Sequence, residues 1–245
     1  MIAALWGHPR SLSTALERVV IERGDFTVLH EPFSCLYYSH QKKMAVPHMH
    51  KVANHPSNYE DIKSYIFSIA DRSAVFIKDM CYHCHDFLIK DEDFLEKIVN
   101  TFIVRHPRRS IASHYSINPE VTREEIGYES QYEIFRKVVD LTGKVPPILD
   151  AEDLQKDPDR MVRIYCDTLG VPHIPEALHW EKGHKKEWDM WEEWHADASQ
   201  STEIHSNARR YEATVDNDPR LKSNFEYHQP FYEEMYRHRL VPGTV

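Results

Sequence analysis

Glycine is scarce in this chain, with seven among 245 residues and no stretch that concentrates them. There is no tandem repeat and no low-complexity tract, so nothing reads as a linker and the expectation is one domain over residues 1–245. Cysteine is scarce as well. Cys35, Cys81, Cys84 and Cys166 are too few for a disulfide framework in a chain this long, which points to reduced thiols. No apolar run approaches the roughly 18 residues that a spanning helix needs. The sequence enters a strand-like segment directly, without a charged leader, and the expected location is the cytoplasm. An excess of positive charge is also missing. With 39 acidic against 30 basic side chains the net charge is −9, which argues against nonspecific binding to nucleic acid or to an anionic membrane. A small anionic ligand stays open, because a few cations in a cleft set the local field whatever the total.

What is present is enough apolar residue, 41%, to bury a substantial core. Short apolar runs alternate with amphipathic segments, the pattern of βα units around a parallel sheet. Strands are expected at 2–6, 26–30, 74–77, 101–104 and 147–151. The implied fold class is α/β, three layers with a central, mainly parallel sheet of about five strands. A helical and loop region follows from about His179, where "HWEKGHKKEWDMWEEWH" is rich in tryptophan and histidine. Helical spacing joins Ile62, Tyr65, Ile66 and Ile69, and again Tyr128, Tyr132, Phe135 and Val139. Thr14 and Glu17 stand at capping-box spacing. "DPDRMVRIYCDTLGVP" carries its own limits: Asp157 as N-cap, Pro158 in the first turn, Gly170 past the end and Pro172 as a stop.

The tripeptide His-Pro-Arg occurs twice, at 8–10 and 106–108, each time between an apolar run and a helix-like stretch. In open α/β sheets ligands bind beyond the C-terminal ends of the strands, where helix N-termini offer free N–H groups and partial positive charge. The first turn adds Arg10 and the hydroxyls of Ser11, Ser13 and Thr14, a set suited to phosphate or sulfate. It is not a Walker A loop, since Leu12 and Ser13 stand where that pattern wants glycine and lysine. The second turn holds Arg105, Arg108 and Arg109 at a helix start, where cations are unfavourable unless an anion neutralises them. Ser113 lies eight residues after Arg105.

The first loop resembles the Pro-Arg-Ser-Gly-Ser-Thr type of 5′-phosphosulfate loop of P-loop-related sulfotransferases that use 3′-phosphoadenosine 5′-phosphosulfate (PAPS). The second resembles their Arg-x-Pro-x-x-x-x-x-Ser segment, whose arginine and serine hold the nucleotide 3′-phosphate. "ILDAEDLQKDP" is similar to the family's Tyr-Glu-Asp-Leu strand and helix. "EKGHKKEW" is similar to its Arg-Lys-Gly-x-x-Gly-Asp-Trp loop, with Lys182, Gly183 and Trp188 in register. The resemblance covers about residues 1–190 and implies a P-loop NTPase-like sheet. It also implies transfer of a sulfuryl group from PAPS to a hydroxyl or amine of a small acceptor, without a metal. Leu12 and Glu181 depart from it, at a loop glycine and a late arginine.

On that resemblance Arg10, Ser11, Leu12, Ser13 and Thr14 hold the phosphosulfate, Arg105 and Ser113 the 3′-phosphate, and Lys182 and Gly183 complete the nucleotide site. Arg10 and Lys78 are the expected cations at the transferring group. Glu31 is the expected base, with His83, His85 and His114 as further candidates, imidazole being suited to that work. His30 precedes Glu31, and strand alternation would let one of the two face the cleft. "CYHCH" at 81–85 gathers four potential metal ligands, but so short a segment rarely wraps one ion, and the expectation is no metal. Trp188, Trp191 and His195, at helical spacing, read as core or lid packing that also walls an acceptor pocket. Two other readings share these loops: a P-loop kinase-like phosphotransferase, and a non-catalytic nucleotide-binding protein.

Overall fold

In the computed structural model, which describes residues 1–41, 56–205 and 209–241, five strands pair in the order β2-β3-β1-β4-β5. They are β1 (Ile2–Gly7), β2 (Thr27–His30), β3 (Val75–Met80), β4 (Val99–Val104) and β5 (Ile148–Asp150), and every pairing is parallel. All five expected strands form. The main differences are that β3 runs on to Met80, carrying Lys78 inside the strand, and that β4 starts earlier, at Val99.

The alternation of β1 shows why both faces are covered. Ile2, Ala4 and Trp6 enter one apolar cluster and Ala3 and Leu5 the other. On the first face lie α2 (Tyr59–Ala70), α3 (Pro107–Tyr115), α4 (Tyr128–Thr142) and α6 (Pro219–Tyr236). On the second lie α1 (Ser13–Arg23) and α5 (Pro158–Leu169). A strand buried on both faces reads as a continuous apolar run, which is how these were legible.

The caps of α5 are as expected. The Asp157 side chain accepts from the Arg160 N–H, and Gly170 takes the left-handed conformation at φ 69°. The expected capping box at Thr14 and Glu17 does not form. Leu12 occupies the cap position at φ 73° with no side-chain hydrogen bond, so α1 begins at Ser13 and Glu17 is free for another use.

Topology brings distant residues together. Because β1 and β4 are neighbours, the two His-Pro-Arg turns leave the sheet side by side. Because β2 pairs with β3, with His30 opposite Lys78, Glu31 and Lys78 meet at the same edge. The tryptophan-rich segment folds over this edge as a 3-10 stretch, Lys186–His195. It is kinked at Trp191, followed by the short helix Ala196–Gln200.

Candidate functional site

The two turns are cross-linked by the first residue of one of them. The His8 ring is fully buried and stacks 4.0 Å from the Tyr128 ring. Its Nδ1 lies 3.0 Å from the Pro9 carbonyl, and its Nε2 accepts from the Arg105 backbone N–H at 3.1 Å. That pattern needs the neutral ring. Burial holds His8 there by lowering its pKa to about 3. Tyr128 donates to the Arg105 carbonyl at 2.5 Å, and the Arg105 guanidinium donates to the Arg10 carbonyl at 3.0 Å. Arg10 Nε donates to Ser113 Oγ at 3.0 Å. The residues read as two separate grips thus form one hydrogen-bonded unit along a cleft that Arg10, Leu12, Ser13, Thr14, Arg105 and Ser113 all line.

The first turn is bent into a strained shape. Arg10 and Leu12 both have left-handed backbones, at φ 64° and 73°. Leu12 therefore takes a conformation that glycine reaches without cost, and its departure from the glycine of the resembled loop does not straighten the turn. Ser11 falls outside the expectation. Its Oγ is buried without a hydrogen-bond partner and packs where a Cβ on Gly7 would come within 3.2 Å, so the side chain sits under the loop.

The three arginines of the second turn divide. Arg105 lines the cleft, while Arg108 pairs with Asp216 at 2.5 Å and Arg109 approaches Glu152 at 3.7 Å, both half-exposed. Arg105 Nε also reaches Glu152, at 3.4 Å. Across the cleft, the nearest carboxylate to Arg10 is that of Asp197, 3.8 Å away, which Arg209 holds more closely at 2.5 Å. Lys182 and Gly183 do not line the cleft. Lys182 is exposed, and the Gly183 and Glu181 carbonyls are tied down by Arg18 of α1, at 3.1 and 2.9 Å.

At the other end of the cleft, Lys78 and Glu31 form a buried ion pair. Burial alone would raise the Glu31 carboxyl, but Lys78, with His30 and His83, overrides it and holds the pKa at about 2. Glu31 is itself at φ 46°, which breaks the strand alternation, so His30 and Glu31 both turn to this cluster, 3.6 Å apart. His30 Nδ1 binds the Glu17 carboxylate at 2.8 Å, and its Nε2 lies 2.9 Å from His195 Nε2. Trp188 Nε1 donates to Glu17 at 3.0 Å. Glu17 is thus an inner anchor where its spacing suggested a cap, and His195 is both packed against Trp188 and part of the cleft lining. His30, Glu31 and His195 bring three metal-ligand atoms within 4.8 Å of one another. The Lys78 ammonium already occupies the carboxylate, however, and a divalent cation would face it directly.

The 81–85 segment scatters. Cys81 and Cys84 are in the core, where burial pushes both thiols up. His85 meets Glu133 at 2.5 Å, away from the cleft. His83 lines the cleft, with Nδ1 2.6 Å from Asp79. His114 lines it too, and burial beside Arg10 lowers its pKa to about 3. Tyr38, Tyr82 and Trp191 line the cleft near His83, Trp194 lines it beside Arg10 and His114, and Trp188 is core.

Comparison with known proteins gives the family and the fold. The family model described as "Sulfotransferase domain" matches residues 1–238. A solved sulfotransferase from Alicyclobacillus acidocaldarius superposes with a TM-score of 0.58 at 13% identity, covering 98% of this chain and 97% of that one. The sulfotransferase domain of the curacin biosynthetic pathway superposes with a TM-score of 0.50 at 14% identity, covering 99% and 98%. Among curated proteins, the Arabidopsis thaliana "Branched-chain-amino-acid aminotransferase-like protein 2" is 27% identical over 213 residues. That match takes in 85% of this chain and 37% of the relative, so the chain spans little more than a third of the relative's length.

Proposed function

The chain belongs to the sulfotransferase-domain family, and from that premise we propose that it transfers a sulfuryl group from PAPS to a hydroxyl or amine of a small acceptor. The observation that carries the donor is the joined pair of turns. Two guanidiniums line one cleft beside the N-termini of α1 and α3: Arg105 donates to the Arg10 carbonyl, and Arg10 donates to Ser113. Two cations held apart by a fixed scaffold suit a ligand with two anionic ends, and Arg forks favour two-oxygen contacts. Arg10, with Ser13, Thr14 and the N-terminus of α1, takes the phosphosulfate. Arg105 and Ser113 take the 3′-phosphate, with Arg105 turning from Glu152.

In the reaction the acceptor oxygen bonds to sulfur while the bond from sulfur to the 5′-phosphate oxygen breaks, and 3′,5′-ADP leaves. As in phosphoryl transfer, the protein's part is in-line positioning and cations where charge develops. Arg10 faces the leaving phosphate and Lys78 the equatorial oxygens. The aromatic wall of Tyr38, Tyr82 and Trp191 suits an acceptor with a flat or apolar body.

Thermal unfolding with 3′,5′-ADP tests the donor. At a hundredfold excess over its dissociation constant a ligand adds about 2.7 kcal/mol, a rise of roughly 5–10 °C for a chain this size. Arg105→Ala is expected to cut that rise by more than half. No rise with 3′,5′-ADP, or a larger one with ATP and Mg²⁺, overturns the reading. Transfer of labelled sulfate from PAPS to phenols, benzylic alcohols and primary alkanols then identifies the acceptor class.

A further inference from the structure

We propose that the base of this reaction is His83, oriented by Asp79, and that Glu31 serves as the counter-ion of Lys78. The assignment rests on the sulfuryl-transfer reading above, and geometry within the cleft selects the residue.

Asp79 is fully buried at the end of β3 and fixed by backbone donors. Its Oδ2 accepts from the Phe33 N–H and its Oδ1 from the Met80 N–H, both at 2.7 Å. Oδ1 also lies 2.6 Å from His83 Nδ1. A carboxylate that only accepts fixes the tautomer, so the proton sits on Nδ1 and the lone pair on Nε2. That Nε2 is buried with no hydrogen-bond partner, on a residue that lines the cleft. An orphaned acceptor in such a place is costly and calls for an explanation. An acceptor hydroxyl supplies the missing donor.

The surroundings fit an acceptor site. The His83 ring packs 4.5 Å from Tyr82 and 5.4 Å from Tyr38, and those two tyrosines share a hydrogen bond at 2.8 Å. Lys78, the cation assigned to the transferring group, leaves the same strand one residue before Asp79. His114, His195 and His205 are the other imidazoles that line the cleft among the described residues. Both ring nitrogens of His195 are engaged, Nδ1 3.5 Å from Thr14 Oγ1 and Nε2 2.9 Å from His30 Nε2, His114 is buried beside Arg10 on the donor side, and His205 is exposed. Glu31 is bound to Lys78, and a carboxylate held near 2 is a weak proton acceptor at neutral pH.

The step balances. The acceptor O–H proton moves to His83 Nε2 as the O–S bond forms, and the imidazolium returns the proton to water after 3′,5′-ADP and the sulfated product leave. Among the described residues, Asp79, Glu31 and the buried phenols of Tyr37, Tyr38 and Tyr82 lie around the ring. Of these, Asp79 is in direct contact, 2.6 Å from Nδ1. Asp79 is a positioning residue, and its signature is the tautomer of the His83 ring.

The test combines turnover with tautomer. With PAPS and the best acceptor of the panel, His83→Gln is expected to lose about a hundredfold or more in kcat while 3′,5′-ADP binds as before. Asp79→Asn should lower kcat with 3′,5′-ADP bound as before, and should release the His83 ring from a single tautomer, since the carboxylate that accepts from Nδ1 at 2.6 Å is gone. Nitrogen-15 histidine spectra at pH 8 should show His83 protonated at Nδ1. A His83→Gln variant within threefold of wild type, or a His83 protonated at Nε2, overturns the assignment. In the first case, collapse of turnover in Glu31→Gln returns the role to Glu31. A wild-type chain that binds 3′,5′-ADP but sulfates nothing in the panel overturns the transfer reading, and the base assignment with it.

Discussion

Replacing either member of the Glu31–Lys78 pair strands its partner as an unpaired charge out of water. Glu31→Gln and Lys78→Met are each expected to cost about 3–5 kcal/mol in urea unfolding at pH 7. Because the two side chains share one interaction, the double variant should lose less than the sum. The pair also has an acid signature. Glu31 is held at about 2, below its unfolded value of 4.5. Its contribution is complete above pH 4.5 and disappears as the pH falls through about 2. Lys78 was legible as a cation near the cleft, from its place after an apolar run. Its partner was not, because nothing in the local sequence fixes the left-handed backbone of Glu31 that turns it toward β3.

Helix ends were the elements easiest to read, since a cap is a local matter between a side chain and the next turn. Asp157 illustrates this, and Asp157→Ala is expected to cost about 1 kcal/mol, seen as a lower urea midpoint with unchanged slope. The start of α1 is the counterexample. Its residues match a capping box, yet the turn after β1 is shaped by contacts from elsewhere: His8 is committed to Arg105, and Glu17 to His30 and Trp188. Local pattern loses where tertiary partners offer buried donors that a solvent-facing cap does not. The 186–195 segment fails for a related reason, as its helical spacing is interrupted at Trp191 (φ −129°, ψ 33°) while it folds over the sheet edge.

Across the whole molecule, buried histidines make stability depend on pH. Burial lowers His8 and His114 to about 3 and His228 to about 4. Each is neutral in the fold, whereas the unfolded chain takes up protons below 6.5, so stability falls as pH drops through that window. The loss is about 2 kcal/mol for each by pH 5. Asp150 opposes them. Burial, with Glu152 nearby, raises it to about 7, so its contribution is present at low pH and is lost as pH rises from its unfolded value of 3.8 through 7. Three groups against one leave a net loss, and the urea midpoint is expected to be lower at pH 5 than at pH 7. No helix among the described residues is long and apolar enough to cross a membrane.

The sequence by itself determined the five strands, the helices with clear caps or apolar spacing, the two arginine-bearing turns and the family to which they point. These depend on apolar periodicity, on caps and on charges adjacent in the chain. Only the tertiary structure decided which side chains share the cleft. It placed β1 beside β4, so that His8 joins two turns 98 residues apart in the numbering. It sent Ser11 beneath its loop and Lys182 to the surface. It also committed Glu31 to Lys78 while leaving His83 with an open nitrogen. Burial and pairing set the charge and hydrogen-bond capacity of each group, and both are made by strands that the chain brings together from far apart.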